Sequence, residues 1–356
     1  MIKKLIITSA FALSFQANSH AFDFSFFKQK RDHIYIVGSS TISPLMAAVS
    51  EEFSRRKAME GKPIKTPIVE SSGTTAGFKL FCAGTEAKYP DFVNASRMIS
   101  DDEKNTCHKN GINKILEIKI GYDGIVIAAS KANKKAHLFN LSKEQIFKAL
   151  AEKIYDQKSA SLVKNPYKYW SEIDKKLPHQ EILFFGPPTS SGTRDVFVDM
   201  IMEEYCLNQK EVEKLFANHD QLKQQCHKIR DDGVFISSGE NDDNIMRALI
   251  HNPQAFGIFG FNYLVANDNK IQPIKIENTL PNQATISSKD YSLSRPLFVY
   301  FKGENLDLIF EMRDFIHELI NHETVGKNGY LSHNGLVPLS DLEVVELHKK
   351  LLPEIK

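Results

Sequence analysis

Apolar and polar positions alternate along this chain in two rhythms. Short apolar runs rich in β-branched residues read as buried strands. Longer stretches with apolar residues four apart read as helices packed by one face. Residues 33–37 form the first strand, and 44–55 follow as a helix with Leu45, Val49 and Phe53 on one stripe. Strands at 64–69 and 91–95 alternate with helices beginning near Gly77 and Asp101. The runs 115–120 and 125–129 predict two strands around a turn at Gly121-Tyr122-Asp123-Gly124. A second series repeats the pattern: a helix over 142–150 capped by Ser142, a polar stretch over 165–176 holding Trp170, a strand over 182–185 and a helix over 194–205. In that last helix Val196, Phe197, Met200 and Ile201 face inward. A helix over 244–251 precedes an aromatic-rich strand over 255–263, and helices over 307–321 and 342–352 close the chain. Such alternation predicts layered α/β architecture.

Three strand-to-helix junctions carry unusual turns. They read Gly38-Ser39-Ser40-Thr41, Ser71-Ser72-Gly73-Thr74-Thr75-Ala76-Gly77 and Thr189-Ser190-Ser191-Gly192-Thr193-Arg194. A helix start presents unpaired N–H groups and about half a positive charge. Hydroxyls add donors without adding charge. Three such turns brought together make a cage for a small oxyanion. A Ser or Thr before a single helix is ordinarily only an N-cap; it is the recurrence that points to a ligand.

The first residues look like a secretory leader. Lys3 and Lys4 precede an apolar stretch too short to span a bilayer, and Ser19-His20-Ala21 offers a cleavage site, so 1–21 read as a signal peptide. The four cysteines, Cys82, Cys107, Cys206 and Cys226, then belong to an exported chain and favour disulfides. Of three connectivities, the local pairs Cys82–Cys107 and Cys206–Cys226 are expected. His219 and His227 near the second pair raise the idea of zinc, but no CxxC supports it and no metal is expected. The 45 basic and 44 acidic residues nearly cancel, which argues against nucleic acid as a partner. The sequence His317-Glu318-Leu319-Ile320-Asn321-His322 sets its histidines five apart, so it is not a zinc-protease helix, and no GxSxG elbow is present.

Several motifs in order carry a resemblance. They are Thr41 in its Val-Gly-Ser-Ser-Thr-Ile context, the Ser-Gly-Thr-Thr-Ala-Gly loop, Asn94-Ala95-Ser96-Arg97, Gly121-Tyr122-Asp123-Gly124-Ile125 and Ser190-Ser191-Gly192-Thr193-Arg194. Over residues 33–265 the chain resembles the phosphate-binding proteins of ABC-type phosphate uptake systems. The resemblance implies a type II periplasmic binding protein: two α/β lobes, each a mixed sheet flanked by helices, joined by a two-stranded hinge near 129–135 and 264–269. Lobe 1 would comprise 22–130 and 266–356, and lobe 2 would comprise 131–265. It implies a periplasmic monomer that encloses inorganic phosphate and delivers it to inner-membrane permease subunits, without cofactor or catalysis. The ligand set it implies is Ser40, Thr41 and the N–H of Ile42, then Ser72 or Thr74, then Ser191, Gly192 and Thr193, with Arg97 and Arg194 as cations.

The chain departs from that pattern twice. The family places an Asp where Arg97 stands, as acceptor for the proton on phosphate, and an Arg where Pro187 or Pro188 stands. Asp123 or Asp195 is expected to supply the missing acceptor. Binding of sulfate, tungstate or molybdate, and a phosphatase-like activity, are the competing readings.

Overall fold

The computed structural model describes residues 31–239 and 241–356; the leader read at 1–21 lies outside them. The first part of the chain winds as strand–helix units. β1 (Tyr35–Gly38) feeds α1 (Ser43–Met59), and β2 (Ile68–Ser71) feeds α2 (Thr74–Phe81). β3 (Phe92–Ala95) then leads to α3 (Asp101–Lys109). Each helical crossover returns the chain parallel to its neighbour, so β1 lies between β2 and β3, parallel to both. At the start of α3, Ser100 accepts from the Glu103 N–H while the Glu103 carboxylate accepts from the Ser100 N–H, a complete capping box.

β4 (Ile115–Ser130) is a single unbroken strand. The turn expected at 121–124 does not form. Leu297 pairs with Gly121 and Phe298 with Lys119, so the irregularity is a one-residue bulge at Ile120. The reason is burial on both sides of the glycines. Ile118, Ile120, Ile125 and Ile127 are all buried, and each flank finds its own partner strand.

After β4 come β5 (Asn140–Leu141), α4 (Lys143–Leu150), the hairpin β6 (Lys153–Asp156) and β7 (Ser161–Lys164), α5 (Trp170–Ile173) and β8 (Phe184–Gly186). A helical run then passes through α6 (Gly192–Phe197), a π-helical turn over Val198–Glu203, and α7 (Glu204–Leu207). α8 (Lys210–Glu213), α9 (His219–Cys226), β9 (Phe235–Ser237), α10 (Asp242–His251) and β10 (Phe256–Gly260) follow. The strand read at 255–263 stops at Gly260, where the chain turns into α11 (Phe261–Ala266). β11 (Ile271–Pro273) and β12 (Lys275–Ile276) pair with β4 and β5. α12 (Gln283–Ser287) precedes β13 (Ser294–Lys302), and α13 (Met312–Ile320), α14 (His322–Val325), α15 (Tyr330–His333) and α16 (Asp341–Leu351) complete the chain.

The main sheet runs β2-β1-β3-β13-β4-β10-β8-β9, with β11 also on β4. β4 divides it. Residues 115–124 pair with β13, and 125–129 pair with β10. Two α/β lobes therefore share one strand. In the first, Phe92 packs against Phe301 and Phe315, and Phe315 against Phe53. In the second, Trp170 is wholly buried among Phe139, Phe184 and Phe256. Each such ring contributes roughly 1.5–3 kcal/mol by leaving water. Disulfides Cys82–Cys107 and Cys206–Cys226 staple α2 to α3 and α7 to α9, the local pairs expected from the sequence.

Candidate binding cleft

The three Ser/Thr-rich turns all precede helices that lack a side-chain cap. α1 starts after Ile42, α2 after Gly73 and α6 after Ser191, and none of these N-cap positions receives a side-chain hydrogen bond. Elsewhere Ser100, Ser142 and Ser340 close their helices with complete capping boxes. Local N-capping therefore does not explain the hydroxyls of the three turns. Backbone packing sets the turns close together. A Cβ on Gly77 would lie 2.6 Å from Gly38 Cα, so only glycine lets α2 sit against the end of β1. Gly77 thus serves helix packing, not ligand approach. Gly73 holds φ +79°, which starts α2 at the angle the turn requires.

Between the lobes lies a cleft of about 890 Å³, bordered by Ser40, Thr41, Ser72, Thr74, Arg97 and Arg194 among the expected residues. Its basic residues are Lys79, Arg97, Arg194, Lys223 and Arg295, against the carboxylates Asp195, Asp199 and Glu203. Among the described residues, five cations against three anions leave the wall net positive, as an anion requires. Arg194 is only 8% exposed. Its guanidinium lies 4.1 Å from the centre of the Phe235 ring, and Nη1 is buried without a hydrogen-bond partner among the described residues. Burial draws this group down to about 10, opposed by neighbouring Asp195, so it stays charged at neutral pH. Arg97 is differently placed. Its two terminal nitrogens hold the Glu103 carboxylate at 2.8 and 2.9 Å, and that bond holds its pKa above the ordinary arginine value.

The remaining expected residues fall elsewhere. Ser191, Gly192, Thr193 and Asp123 border a neighbouring cavity of about 500 Å³. Ser40 and Thr41 border both cavities and form the ridge between them. Asp242 also lines the second cavity, and among the described residues no Lys or Arg does. The two cavities therefore differ in sign. Gly192 packs against Thr41 across the lobes, with 3.6 Å from its virtual Cβ to Thr41 Cα. Ser40 Oγ donates to Asp195 Oδ2 at 3.1 Å, a second link between lobes. The Ile42 side chain is core, and its N–H is 3.2 Å from the Ser39 carbonyl. Ser72 N–H bonds the Gly38 carbonyl, and Thr74 Oγ1 accepts from the Ser96 N–H at 3.2 Å.

The match to known proteins follows these elements. A family model described as a PBP superfamily domain matches residues 28–323. The phosphate-binding protein PstS of Staphylococcus haemolyticus is 31% identical over 284 residues, covering 78% of this chain and 73% of that protein. This chain belongs to the PstS family within the PBP superfamily. The PstS protein of Staphylococcus saprophyticus is 29% identical over 319 residues, 88% of this chain and 82% of that one. The crystal structure of a possible phosphate binding protein from Planctomyces limnophilus superposes with a TM-score of 0.70 at 26% identity, over 91% of this chain and 99% of that one.

Outside the three turns the sequence pointed to Arg97 at the cleft but not to Lys79, Asp199, Glu203, Lys223 or Arg295. Arg295 opens β13 and reaches Thr41 Oγ1 at 3.2 Å. Asp199 and Glu203 lie on the π-helical turn, a local irregularity that often marks functional sites and leaves no signature in composition. Burial raises the Asp199 carboxyl, with Arg295 opposing the rise. Burial also works against ionised Glu203, but bonds from His227 and Lys223 outweigh it and keep the carboxyl low. Ligand atoms of Asp199, Glu203 and His227 lie within 4.8 Å of one another, a donor set that would suit a divalent cation. Lys223 at 3.0 Å from Glu203 and Arg295 at 3.5 Å from Asp199 already neutralise those carboxylates.

Proposed function

We propose that this protein binds inorganic phosphate in the net-positive cleft between its lobes and hands it to the permease subunits of an ABC importer. Its place of work on this reading is the periplasm, as a monomer. The observation that carries the reading is Arg194: a nearly enclosed guanidinium, facing the cleft, with one nitrogen unsatisfied. A buried unpaired cation is costly, and an anion in the cleft removes that cost through charge-assisted bonds. The hydroxyls of Thr41, Ser72 and Thr74 border the same cleft, while Ser40 gives its proton to Asp195. The uncapped start of α2 adds the N–H groups of Thr74, Thr75 and Ala76, whereas at α1 the Ile42 and Ser43 N–H groups already meet the Ser39 carbonyl. Ser191, Gly192 and Thr193 line the neighbouring cavity beyond the Thr41 ridge and stand outside this shell. We take the lobes as 22–130 with 266–356 and as 131–265; the change of partner along β4, from β13 up to Gly124 to β10 from Ile125, supports a crossing between lobes within that strand. Binding and release need no covalent step.

A second reading, an oxyanion without protons such as sulfate, draws on Arg97. The family's acceptor position holds a cation, and that cation is tied to Glu103. Asp195 borders the cleft, so an acceptor is still at hand, while Asp123 lines the neighbouring cavity, 3.8 Å from Arg295 Nε. Calorimetric titration with phosphate and with sulfate separates the two. Phosphate binding at least tenfold tighter than sulfate is expected, together with a loss of about 100-fold on Arg194→Met. Equal affinities would favour the second reading, and no effect of Arg194→Met would remove the anion from this cleft.

A further inference from the structure

Arg295 stands at the cleft base in an unfinished set of contacts. Its Nη2 donates to Thr41 Oγ1 at 3.2 Å, Nη1 lies 3.5 Å from Asp199 Oδ2, and Nε lies 3.8 Å from Asp123 Oδ2. All three are at or beyond the long end of hydrogen bonding. Nε and Asp123 Oδ2 are both buried and make no hydrogen bond. The side chain is 14% exposed. A guanidinium so enclosed ordinarily makes short bidentate bonds to an oxyanion or carboxylate. Arg230, 5% exposed, shows that case in this same molecule, with Nε and Nη2 closed on the two oxygens of Asp232.

Its three neighbours come from different parts of the fold. Thr41 belongs to the first turn, Asp123 to the shared strand β4, and Asp199 to the π-helical turn of the other lobe. Asp199 also has an alternative to Arg295. It lies in one cluster with Glu203 and His227, and Lys223 reaches Glu203 at 3.0 Å.

On the reading that this cleft binds phosphate, we propose that Arg295 is a further ligand-binding residue, held on Asp199 at rest and transferred to the anion when it arrives. The phosphate takes the Nη1 and Nη2 edge of the guanidinium beside Thr41. Asp199 turns back toward His227 and Lys223. The exchange trades a long ion pair across the lobes for a short bidentate one, and no atom changes its covalent partner. Arg295 thereby supplies a cation to a cleft whose third turn carries Pro187 and Pro188 where the family has an arginine.

The test is a double-mutant cycle on the mature chain, read by calorimetric titration with inorganic phosphate. Arg295→Met is expected to weaken binding by about 10- to 100-fold. Asp199→Asn is expected to tighten binding several-fold, because the resting partner is weakened. In the Arg295→Met background, Asp199→Asn is expected to do nothing. Wild-type affinity in Arg295→Met overturns the proposal. So does equal tightening by Asp199→Asn in both backgrounds, which would be a general charge effect and not an exchange. Should Arg295→Met fail to fold by circular dichroism, Arg295→Lys serves in its place. It keeps the charge and loses the fork, so it is expected to bind more weakly than wild type, and undiminished affinity there overturns the proposal. A wild-type protein that takes up no phosphate defeats the reading of the cleft itself; a wild type that binds while Arg295 proves dispensable defeats only the exchange.

Discussion

Lys302 is fully buried on β13, with Nζ donating to the Gly84 carbonyl and facing the Phe81 and Tyr89 rings. Burial lowers its ammonium to about 8 from an ordinary 10.5, with Asp91 opposing the fall. Below that value the native state carries the cost of a buried charge. Between about 8 and 10.5 the native lysine sheds its proton while the unfolded one keeps it, so native stability rises with pH in that window. Urea denaturation of wild type and Lys302→Met should show wild type gaining up to about 3 kcal/mol relative to the variant between pH 7.5 and 10.5. A pH-independent difference would contradict the assignment. Nothing in the charge patterning hints at this lysine, because such patterning speaks to surfaces and not to a lone lysine inside a strand. The sequence did single out Thr41, Thr74 and Arg194 at the cleft, since their turns announce helix starts. Arg295 escaped notice because its role comes from strand pairing between β13 and β4, more than 150 residues apart in sequence.

Elements were legible where local chemistry decides them. The Ser142 cap and the helix after Asp101 appear as read, and both helices have complete capping boxes. β4 was misread because Gly121 and Gly124 look like a turn until β13 and β10 are present to pair with it. The π-helical turn is invisible in sequence for a similar reason: nothing local distinguishes it from the helix on either side. At this scale the closest fit is α2 against β1. Gly77→Ala would place a methyl 2.6 Å from Gly38 Cα and 3.0 Å from Val93 Cγ2. The helix must shift, at a cost of about 1–3 kcal/mol. A thermal melt should register that loss, and phosphate affinity should fall with it because Thr74 and Ser72 move with α2. Unaltered stability would mean α2 is loosely seated.

At the scale of the molecule, the alternating pattern was enough to give α/β layers, and the ordered motifs were enough to give the two-lobed family. What the sequence could not supply is the division of the expected ligand residues between two cavities of opposite charge, because that depends on how the lobes meet. Ser40 and Thr41 stand on the ridge, with a positive wall on one side and Asp123 and Asp242 on the other.

The two lobes have separate aromatic clusters, yet both hang from β4. Its residues 115–124 are stitched to one and 125–130 to the other, without a flexible linker between. A protein built as two beads on a string can lose one bead and keep the other. Here, disordering either bead strips hydrogen bonds from the same spine. Differential scanning calorimetry should accordingly record one cooperative endotherm, with calorimetric and van't Hoff enthalpies in agreement; two resolved peaks would show that the spine does not transmit order from end to end.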